Sequence, residues 1–210
     1  MPLNTIELNS TSRKNCTYTP SKIVCIGRNY VAHIEELGNE IPEDMVVFMK
    51  PNSSLTSTLH SVHGEALHYE AELCFLVESG EFSAVAIGLD LTKREMQKQL
   101  KNKGLPWERC KAFDGSALLS DFVELNNGMQ GLSLQLWIND VLIQQGGIEL
   151  MLYPPKVIKQ QLAQFMTLED GDVVMTGTPK GVGIVNKGDR FVGRVLQGEQ
   201  CLIEQRWIAQ

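Results

Sequence analysis

The sequence predicts an α+β fold that is mostly β, with a few short helices. Most apolar segments are short and rich in β-branched residues, or they alternate between apolar and polar residues as strands do. Only three segments carry helix signals. This β-rich pattern makes an α+β fold likelier than a doubly wound parallel sheet.

The first elements follow one another closely. The segment "SKIVCIG" predicts a buried strand that ends at Gly27. The segment "NYVAHIEELG" then predicts a short helix, with Asn29 capping its start and Gly38 its end. The segment "DMVVFMKP" predicts a further strand that stops at Pro51.

A β-hairpin and a helix come next. The strands "HYEAELCFLV" and "SAVAIGLDL" are separated by "ESGEF", which predicts a hairpin with its turn near Gly80 and Glu81. The segment "TKREMQKQLKNKG" predicts a helix, because Thr92 and Glu95 have the spacing of a capping box and Gly104 is a suitable stop.

The last third of the chain predicts mostly strands. "SLQLWINDVLIQQG" indicates a hairpin that turns at Asn139 and Asp140. "PPKVIKQQLAQFM" indicates a helix with proline in its first turn. "DVVMTG", "DRFVGRVL" and "CLIEQRWI" alternate in the manner of strands between glycine-containing turns.

Composition excludes several classes of function. The 210 residues are 43% hydrophobic, which suffices for one well-buried core. The net charge is −6 and the basic residues form no stripe, so we expect no nucleic-acid partner, although a local site could still bind an anionic small molecule. No 18-residue apolar run or signal pattern occurs, so we expect no membrane association and a cytoplasmic location. The five cysteines are far apart and contain no C-x-x-C pair, which favours small buried residues in a reducing compartment.

Two acids in the first hairpin strand suggest a metal site. Glu70 and Glu72 are two residues apart, so a strand places them on one face. With the predicted turn, Asp90 lies roughly opposite Glu72. Three carboxylates that converge in a partly dry site need a cation, and ligands that are all oxygen favour Mg²⁺, Mn²⁺ or Ca²⁺.

Two other interpretations of these acids remain open. An E-x-E pattern also suits the solvated outer face of a strand. A zinc site can be built from His60, His63 and His68, although "SVHG" is typical of a loop and His68 fits better as a neighbour of the ligands.

Six segments together resemble the fumarylacetoacetate hydrolase family, and within it the branch of acylpyruvases and oxaloacetate-handling enzymes. They are "KIVCIGRNYVAHIEELG", "VVFMKPNSSL", "HYEAEL", "GLDLTKREMQ", "KGLPWERCKAFD" and "MTGTPKGVG", which occur in family order over most of residues 20 to 190. The resemblance implies a mixed β-roll or sandwich with a few short helices. It also implies one catalytic domain over residues 21–210, preceded by an N-terminal extension over residues 1–20.

The resemblance further implies a set of functional residues. The metal ligands match Glu70, Glu72 and Asp90, and family members of this kind usually depend on Mg²⁺ or Mn²⁺ and are homodimers. A lid helix with a histidine and a glutamate matches His33 and Glu36. The family's lysine before "AFD" matches Lys111, and its glutamine after the metal-binding aspartate matches Gln97.

The sequence departs from the family at two places. The insert between the E-x-E strand and the metal aspartate, often longer and helical, is reduced here to "CFLVESGEFSAVAIG". The family also often has Cys-Pro after "FD-x-S", where this chain has Ala117 and Leu118. We expect the first departure to affect the support of the metal site and the second to affect the loop beside Lys111.

These residues suit the cleavage of a short 2,4-dioxo acid, an acylpyruvate. A divalent ion can orient its carboxylate and 2-oxo oxygens, and Lys111 can stabilise the pyruvate enolate that leaves. His33 and Glu36 are three residues apart on one helix face, so they can activate the attacking water. The alternatives are a solvated lysine and an exposed helix face with an ordinary ion pair.

Substrate contacts are predicted from Arg28 and from the glycine-rich segment "MTGTPKGVG". This segment is no Walker loop because it lacks the G-K-[ST] ending. Its glycines, Gly177 among them, permit close backbone approach, and Thr178 could bind substrate oxygens, although a plain β-turn is the alternative. Lys50 is equally well explained as a structural residue.

Three functions are therefore compatible with the sequence. The first is a metal-dependent hydrolase that cleaves the C3–C4 bond of acylpyruvates. The second uses the same site for oxaloacetate decarboxylation or keto–enol tautomerisation. The third is a degenerate protein that binds a metal or a 2-oxo acid without catalysis.

Overall fold

The computed structural model describes residues 3–12, 14–36, 38 and 40–210. The strands are β1 (Ile6–Asn9), β2 (Cys16–Tyr18), β3 (Lys22–Gly27), β4 (Val46–Pro51), β5 (Leu55–Thr56), β6 (Leu67–Tyr69), β7 (Ala71–Glu78), β8 (Glu81–Asp90), β9 (Thr92–Lys93), β10 (Ala117–Leu119), β11 (Phe122–Glu124), β12 (Leu132–Ile138), β13 (Val141–Gly147), β14 (Val173–Met175), β15 (Gly183–Ile184), β16 (Arg190–Gln197) and β17 (Gln200–Ile208). The helices are α1 (Val31–Glu36), α2 (Arg94–Asn102), α3 (Glu108–Lys111) and α4 (Pro155–Leu162), and short 3₁₀ turns cover Asn52–Ser54 and Ile148–Leu150. The predicted mostly-β α+β class is confirmed.

The strands of the described residues form three sheets. A large sheet has the order β2-β1-β11-β8-β7-β14-β3-β4, with β10 paired to both β8 and β5. A second sheet has the order β13-β12-β16-β17, and a third has the order β15-β6-β9. Strand β1 runs parallel to β11, so residues that precede position 20 hydrogen-bond into the large sheet. The domain boundary at residue 20 stays a prediction.

The central strand β7 is buried on both faces. Leu73, Phe75 and Val77 pack into the larger apolar cluster, where they meet the inner residues of β12 and β16. Cys74 and Leu76 point to the opposite face and pack into a second cluster with β3 and β14. Because both faces are covered, the strand reads as a continuous apolar run, and the two glutamates at its start are the exception.

Both predicted hairpins are present. The turn between β12 and β13 lies at Asn139 and Asp140, which have φ values of 48° and 68°. The turn between β7 and β8 consists of Ser79 and Gly80, one residue earlier than predicted. Both of its residues have positive φ, as tight two-residue hairpin turns require.

Two predicted helix caps are wrong. Asn29 does not cap α1, because its side chain bonds to the backbone of Tyr153 and Thr176 and thereby ties α1 to the rest of the fold. Thr92 does not form a capping box with Glu95, because it lies in β9 and its hydroxyl contacts Asp90 and Lys111. In both cases a long-range contact replaced the local one that the spacing suggested.

The predicted burial of the cysteines holds for part of the set. All five are free thiols; Cys25, Cys74 and Cys110 are buried, whereas Cys16 is half-buried and Cys201 is exposed. Over the described part of the chain, no helix combines the length and apolarity needed to cross a membrane.

Candidate active site

Glu70, Glu72 and Asp90, hereafter the acid triad, converge where the chain passes from one sheet to another. Strand β6 belongs to the small sheet and β7 to the large one, and Glu70 is the residue between them. Glu72 and Asp90 lie at the adjoining ends of β7 and β8. One ligand oxygen from each acid lies within 4.8 Å of the others. The solvated-face interpretation is wrong, because all three side chains are buried.

The register of the hairpin differs from the prediction by two residues. Asp90 lies opposite Glu70, whose carbonyl accepts a 2.8 Å hydrogen bond from the Asp90 amide, while Glu72 lies opposite Gly88. The difference arises from the earlier turn, and the bulge between Leu76 and Val77 reduces it by one residue. The three acids still share one face because the shift is an even number of residues.

Three cations surround two of the three acids. Lys111 Nζ donates to Glu70 Oε2 at 2.8 Å, to Asp90 Oδ2 at 2.5 Å and to the Thr92 hydroxyl at 2.6 Å. Arg94 donates to Glu70 Oε1 at 2.5 Å. Lys50 Nζ lies 2.8 Å from Asp90 Oδ1 and donates to the Lys111 carbonyl. Lys50 and Lys111 are themselves buried, so these contacts replace the water that the ammonium groups lose.

Glu72 has a different environment. It accepts a 2.8 Å hydrogen bond from the Gly177 amide, and no cation pairs with it among the described residues. Burial, followed by the charges of Asp90 and Glu70, raises the pKa of Glu72 well above its usual range. Burial would also raise the pKa of Glu70, but the Lys111 and Arg94 charges outweigh it and hold that pKa well below its usual range.

The acid triad fits a divalent metal ion. Its donors are all carboxylate oxygens, the chemistry that hard divalent ions prefer. Asp90 Oδ1 is buried and accepts no hydrogen bond from any described residue, although Lys50 is close. A cation at this place would also compensate the charge of Glu72. His60, His63 and His68 form no comparable group, so the zinc interpretation finds no support in the described residues.

His33 and Glu36 lie on α1 as the sequence predicts. His33 is buried and lines the cavity above the acid triad, and its Nδ1 lies 3.3 Å from Glu36 Oε2. Glu36 is exposed and accepts the Gly181 amide at 2.9 Å and 3.1 Å through its two oxygens. Burial lowers the pKa of His33, and this effect outweighs the opposing influence of Glu70 and Glu36. The imidazole is therefore neutral at pH 7 and can act as a base.

Basic side chains form one wall of the same cavity. Arg28, Arg94 and Lys101 line it together with Gln97, whose Oε1 accepts a 2.6 Å hydrogen bond from Arg94. Burial and the charges of Arg28 and Arg94 lower the pKa of Lys101, because the three cations are close together. Arg28 has a φ of 54°, an uncommon value for a residue with a side chain. Phe48 and Trp107 provide the apolar part of the wall.

The glycine-rich segment, residues 175–183, forms the opposite side of the cavity. Gly177 and Thr178 line it, and Gly177 has a φ of 95°. A Cβ on Gly181 would lie 2.3 Å from the Ile143 carbonyl oxygen, so the segment passes over β13 at backbone contact. These glycines therefore allow close backbone approach to β13, whereas close approach to a substrate stays a prediction.

Both departures from the family pattern are accommodated by regular structure. The short insert closes as the two-residue turn of the β7–β8 hairpin, and the acid triad keeps its place at the far end. Ala117 and Leu118 belong to β10, where Ala117 pairs with Asp90 and Leu118 with Leu89. The loop beside Lys111 thus leads directly into a strand that supports Asp90.

Several residues of the site were missed by sequence reasoning. Arg94 was not predicted. It lies four residues after Asp90, at the start of α2, and this position could have indicated that it reaches the acid triad. Gln144 was missed because "IQQG" offers two adjacent glutamines and no reason to prefer one. Lys101 lies four residues after Gln97 on the same face of α2, a spacing that could have indicated it, whereas Phe48 and Trp107 reach the cavity through long-range packing.

Comparisons with known proteins identify the family of the chain. Residues 22–204 match the family described as fumarylacetoacetate (FAA) hydrolase C-terminal. The chain is 38% identical over 193 residues to the oxaloacetate tautomerase YcgM of Escherichia coli, covering 83% of this chain and 88% of the relative. It is 33% identical to the mitochondrial oxaloacetate tautomerase FMP41 of Saccharomyces cerevisiae, covering 89% of this chain and 91% of the relative.

A solved structure gives the same result for the fold. The fumarylpyruvate hydrolase from Pseudomonas aeruginosa, crystallised in complex with Mn²⁺ and pyruvate, superposes with a TM-score of 0.87. It is 28% identical and covers 100% of this chain and 97% of its own. From the matched family, the curated relatives and the fold, the chain belongs to the fumarylacetoacetate hydrolase family of enzymes.

Proposed function

We propose that this protein is a divalent-metal-dependent tautomerase that interconverts the keto and enol forms of oxaloacetate. The observation that carries the proposal is the composition of one cavity: an acid triad at its base, a neutral histidine above it and basic side chains along its wall. The relatives named oxaloacetate tautomerases support the choice of reaction.

The acid triad would hold Mg²⁺ or Mn²⁺. When bound there, such an ion supplies Lewis-acid polarisation of a 2-oxo group and a fixed point for the adjoining carboxylate. Lys111 places its ammonium beside the same acids, and the Asp90 and Glu70 charges outweigh its burial and raise its pKa. It therefore remains a cation that can stabilise negative charge on the substrate oxygen.

His33 is the proposed acid–base group. Its Nδ1 is engaged by Glu36, so its Nε2 is the nitrogen available to the cavity. In the keto-to-enol direction it takes a proton from C3; the C–H electrons form the C2=C3 bond, and the carbonyl electrons move to the C2 oxygen. The imidazolium then returns this proton to that oxygen, so the step balances without another reactant.

The basic wall suits a substrate with two carboxylates. One carboxylate, together with the 2-oxo group, belongs at the acid triad. The second lies on the other side of C3, where Arg28 and Lys101 offer positive charge. Arg94, on the same wall, donates to Glu70 and to Gln97.

Cleavage of acylpyruvates, which the sequence alone favoured, becomes the second candidate. The similarity to the fumarylpyruvate hydrolase supports it, and the His33–Glu36 pair could equally activate a water molecule. Oxaloacetate decarboxylation uses the same 2-oxo acid end but needs no such base. A degenerate binding protein has less support, because the acid triad, His33 and Lys111 are all buried and line one cavity.

The deciding experiment follows the absorbance of enol-oxaloacetate as it converts to the keto form, with Mg²⁺ or Mn²⁺ and with chelator. We expect metal-dependent acceleration that falls about 100-fold or more in His33→Asn. Release of pyruvate from oxaloacetate or from an acylpyruvate is measured in parallel. Pyruvate release at a rate exceeding tautomerisation would overturn the proposal in favour of decarboxylation or hydrolysis.

A further inference from the structure

Gln144 is a buried polar residue that lies outside the cavity but contacts both sides of it. It lies on β13, in the four-stranded sheet, and is 1% exposed. Its amide makes three hydrogen bonds: Oε1 accepts from the Ala71 amide at 3.0 Å, and Nε2 donates to the Thr178 hydroxyl at 2.8 Å and to the Pro179 carbonyl at 2.8 Å. The chemistry fixes the orientation of the amide, since a backbone N–H needs the oxygen and the two oxygens need the NH₂ group.

The contact with Ala71 falls between two members of the acid triad. Strand β14 pairs with residues 74–76 of β7. After Met175, the last residue of β14, the chain turns away from β7 at Gly177. Beyond that point the Ala71 N–H lacks a strand partner on this side, and the Gln144 side chain takes the place of the missing strand. Glu70 and Glu72 flank Ala71, so this one bond restrains the backbone that carries both carboxylates.

The contact with Thr178 determines what the hydroxyl can offer to the cavity. Thr178 is 2% exposed and lines the cavity. Because the Gln144 Nε2 group donates to its oxygen, the hydroxyl proton must point elsewhere. The Pro179 carbonyl is a poor acceptor for it, since it lies at 3.4 Å and already accepts from Gln144 at 2.8 Å.

Close packing holds Gln144 in this position. A Cβ on Gly146 would lie 2.9 Å from Pro179, and one on Gly181 would lie 3.1 Å from Gln144 Cγ. The glycine-rich segment therefore lies against β13 on both sides of Gln144. The same segment donates to Glu36 of α1 through the Gly181 amide and to Glu72 through the Gly177 amide.

We propose that Gln144 is a positioning residue, which fixes the Glu70–Glu72 backbone through Ala71 and orients the Thr178 hydroxyl as a donor toward a substrate carboxylate. The role of Thr178 rests on the proposed function, whereas the restraint of the acid triad does not. Gln144 acts through these two contacts and itself touches no reacting atom.

The test compares Gln144→Met, which keeps the side-chain length but removes all three bonds, with Gln145→Met, an exposed neighbour on the same strand. In Gln144→Met we expect the Kd for Mn²⁺ to rise about tenfold, as for other groups that support metal ligands. The KM for oxaloacetate should rise at least as much, and the Ala71 amide should exchange with solvent faster. Gln145→Met should change none of these.

Two further variants separate positioning from general destabilisation. Gln144→Glu keeps an acceptor for Ala71 but loses the donor to Thr178, and it covers the case in which Gln144→Met does not fold. It should raise KM as Thr178→Val does while binding Mn²⁺ at least as tightly as the unmodified protein. The double variant Gln144→Glu/Thr178→Val should raise KM no further than the larger single effect, because both changes remove the same contact.

The readouts distinguish the two proposals. If the unmodified protein does not tautomerise oxaloacetate, Mn²⁺ binding and Ala71 exchange still test the restraint of the acid triad. A Gln144→Met protein that folds and keeps both the Mn²⁺ affinity and the KM within twofold of the unmodified values would refute the positioning role, whatever its melting temperature.

Discussion

At the scale of single residues, the charges around the acid triad are distributed unevenly. Glu70 has Lys111 and Arg94, Asp90 has Lys111 and Lys50, and Glu72 has one backbone N–H. Removing a cation from this arrangement leaves a buried charge uncompensated, which costs more than the pair gains when it is intact. Lys111 should therefore contribute to stability as well as to chemistry.

We expect Lys111→Met to lower the free energy of unfolding of the metal-free protein by about 3 kcal/mol, because Glu70 and Asp90 both lose a buried cation. Urea unfolding in the presence of chelator measures this change. The exposed Lys187→Met is the matched control and should change stability by less than about 0.5 kcal/mol. Equal stabilities of the two variants would contradict the assignment.

Asp172, outside the candidate site, is another buried carboxylate that is stabilised by a cation and by hydrogen-bond donors. Its carboxylate accepts hydrogen bonds from Ser21, Lys22 and the Glu169 amide. Burial alone would raise its pKa, but these bonds outweigh burial and lower it. The charged carboxylate therefore stabilises the folded state. This stabilisation is complete above the unfolded-state pKa near 4 and is lost as the pH falls through the lower, folded-state pKa.

We expect Asp172→Asn to destabilise the protein by about 3 kcal/mol at pH 7, because Lys22 and several N–H groups lose a charged acceptor. The difference from the unmodified protein should shrink as the pH falls below about 4, because the unfolded state takes up a proton there while the lowered pKa keeps Asp172 charged in the folded state. Urea unfolding at pH 7 and at pH 3 tests this, with the exposed Asp114→Asn as control. A deficit that grows toward low pH would show that the sign of the pKa shift is wrong.

At the scale of elements, α1 is too short to be stable alone, since isolated helices of six residues do not form in water. Its position depends on contacts at its two ends: Asn29 bonds to Tyr153 and Thr176 before the helix, and Glu36 accepts the Gly181 amide at its last residue. Glu36 therefore links the histidine to the glycine-rich segment, and it does so without touching the acid triad.

We expect Glu36→Gln to lower kcat by about 10- to 100-fold, because the neutral amide stabilises the His33 imidazolium less well. The Kd for Mn²⁺ should stay within about twofold, since the acid triad keeps all its contacts. Steady-state kinetics and a Mn²⁺ titration on one protein sample give both numbers. Glu35→Gln, an exposed neighbour on the same helix, should leave both unchanged; a parallel loss of metal affinity in Glu36→Gln would instead indicate a structural effect.

The β7–β8 hairpin depends on one glycine that faces Glu72. A Cβ on Gly88 would lie 2.6 Å from both Cys74 Sγ and Leu119 Cδ2, within a packed sheet. We expect Gly88→Ala to cost about 1–3 kcal/mol of stability and to weaken Mn²⁺ binding by displacing the adjoining strands. Gly80→Ala, at the distant turn, should cost about 1 kcal/mol through its positive φ alone and leave Mn²⁺ binding unaltered. The two unfolding curves and Mn²⁺ titrations decide this, and equal metal affinities would contradict it.

Elements that depend on local patterns were predictable from the sequence, and contacts between distant elements were not. The Asn139–Asp140 hairpin and the Pro155 start of α4 were predicted correctly, because turn residues and proline act within a few positions. The caps at Asn29 and Thr92 were wrong, because each side chain had a distant partner that outcompeted the local one.

At the scale of the whole molecule, the candidate site also contains residues that local patterns predict and residues that depend on contacts between distant elements. The acid triad could be predicted because an alternating strand fixes Glu70 and Glu72 on one face, and because even a register error of two residues keeps Asp90 beside them. The Gln144 contacts could not, because they join β13 of one sheet to β7 of another across 73 positions of sequence.

Because the acid triad joins β7 and β8 of the large sheet to the small sheet through Glu70, a bound metal should stabilise the whole fold. At a Mn²⁺ concentration 100 times the Kd, the gain is about 2.7 kcal/mol, which corresponds to a rise in Tm of about 5–10 °C for a protein of this size. Thermal unfolding with chelator and with Mn²⁺ measures this rise. Glu72→Gln should abolish this rise in Tm. The metal-free variant should be at least as stable as the metal-free unmodified protein, because the substitution replaces a buried acid that has no cationic partner with a neutral amide. A Tm that rises equally in Glu72→Gln would place the stabilising ion at another site.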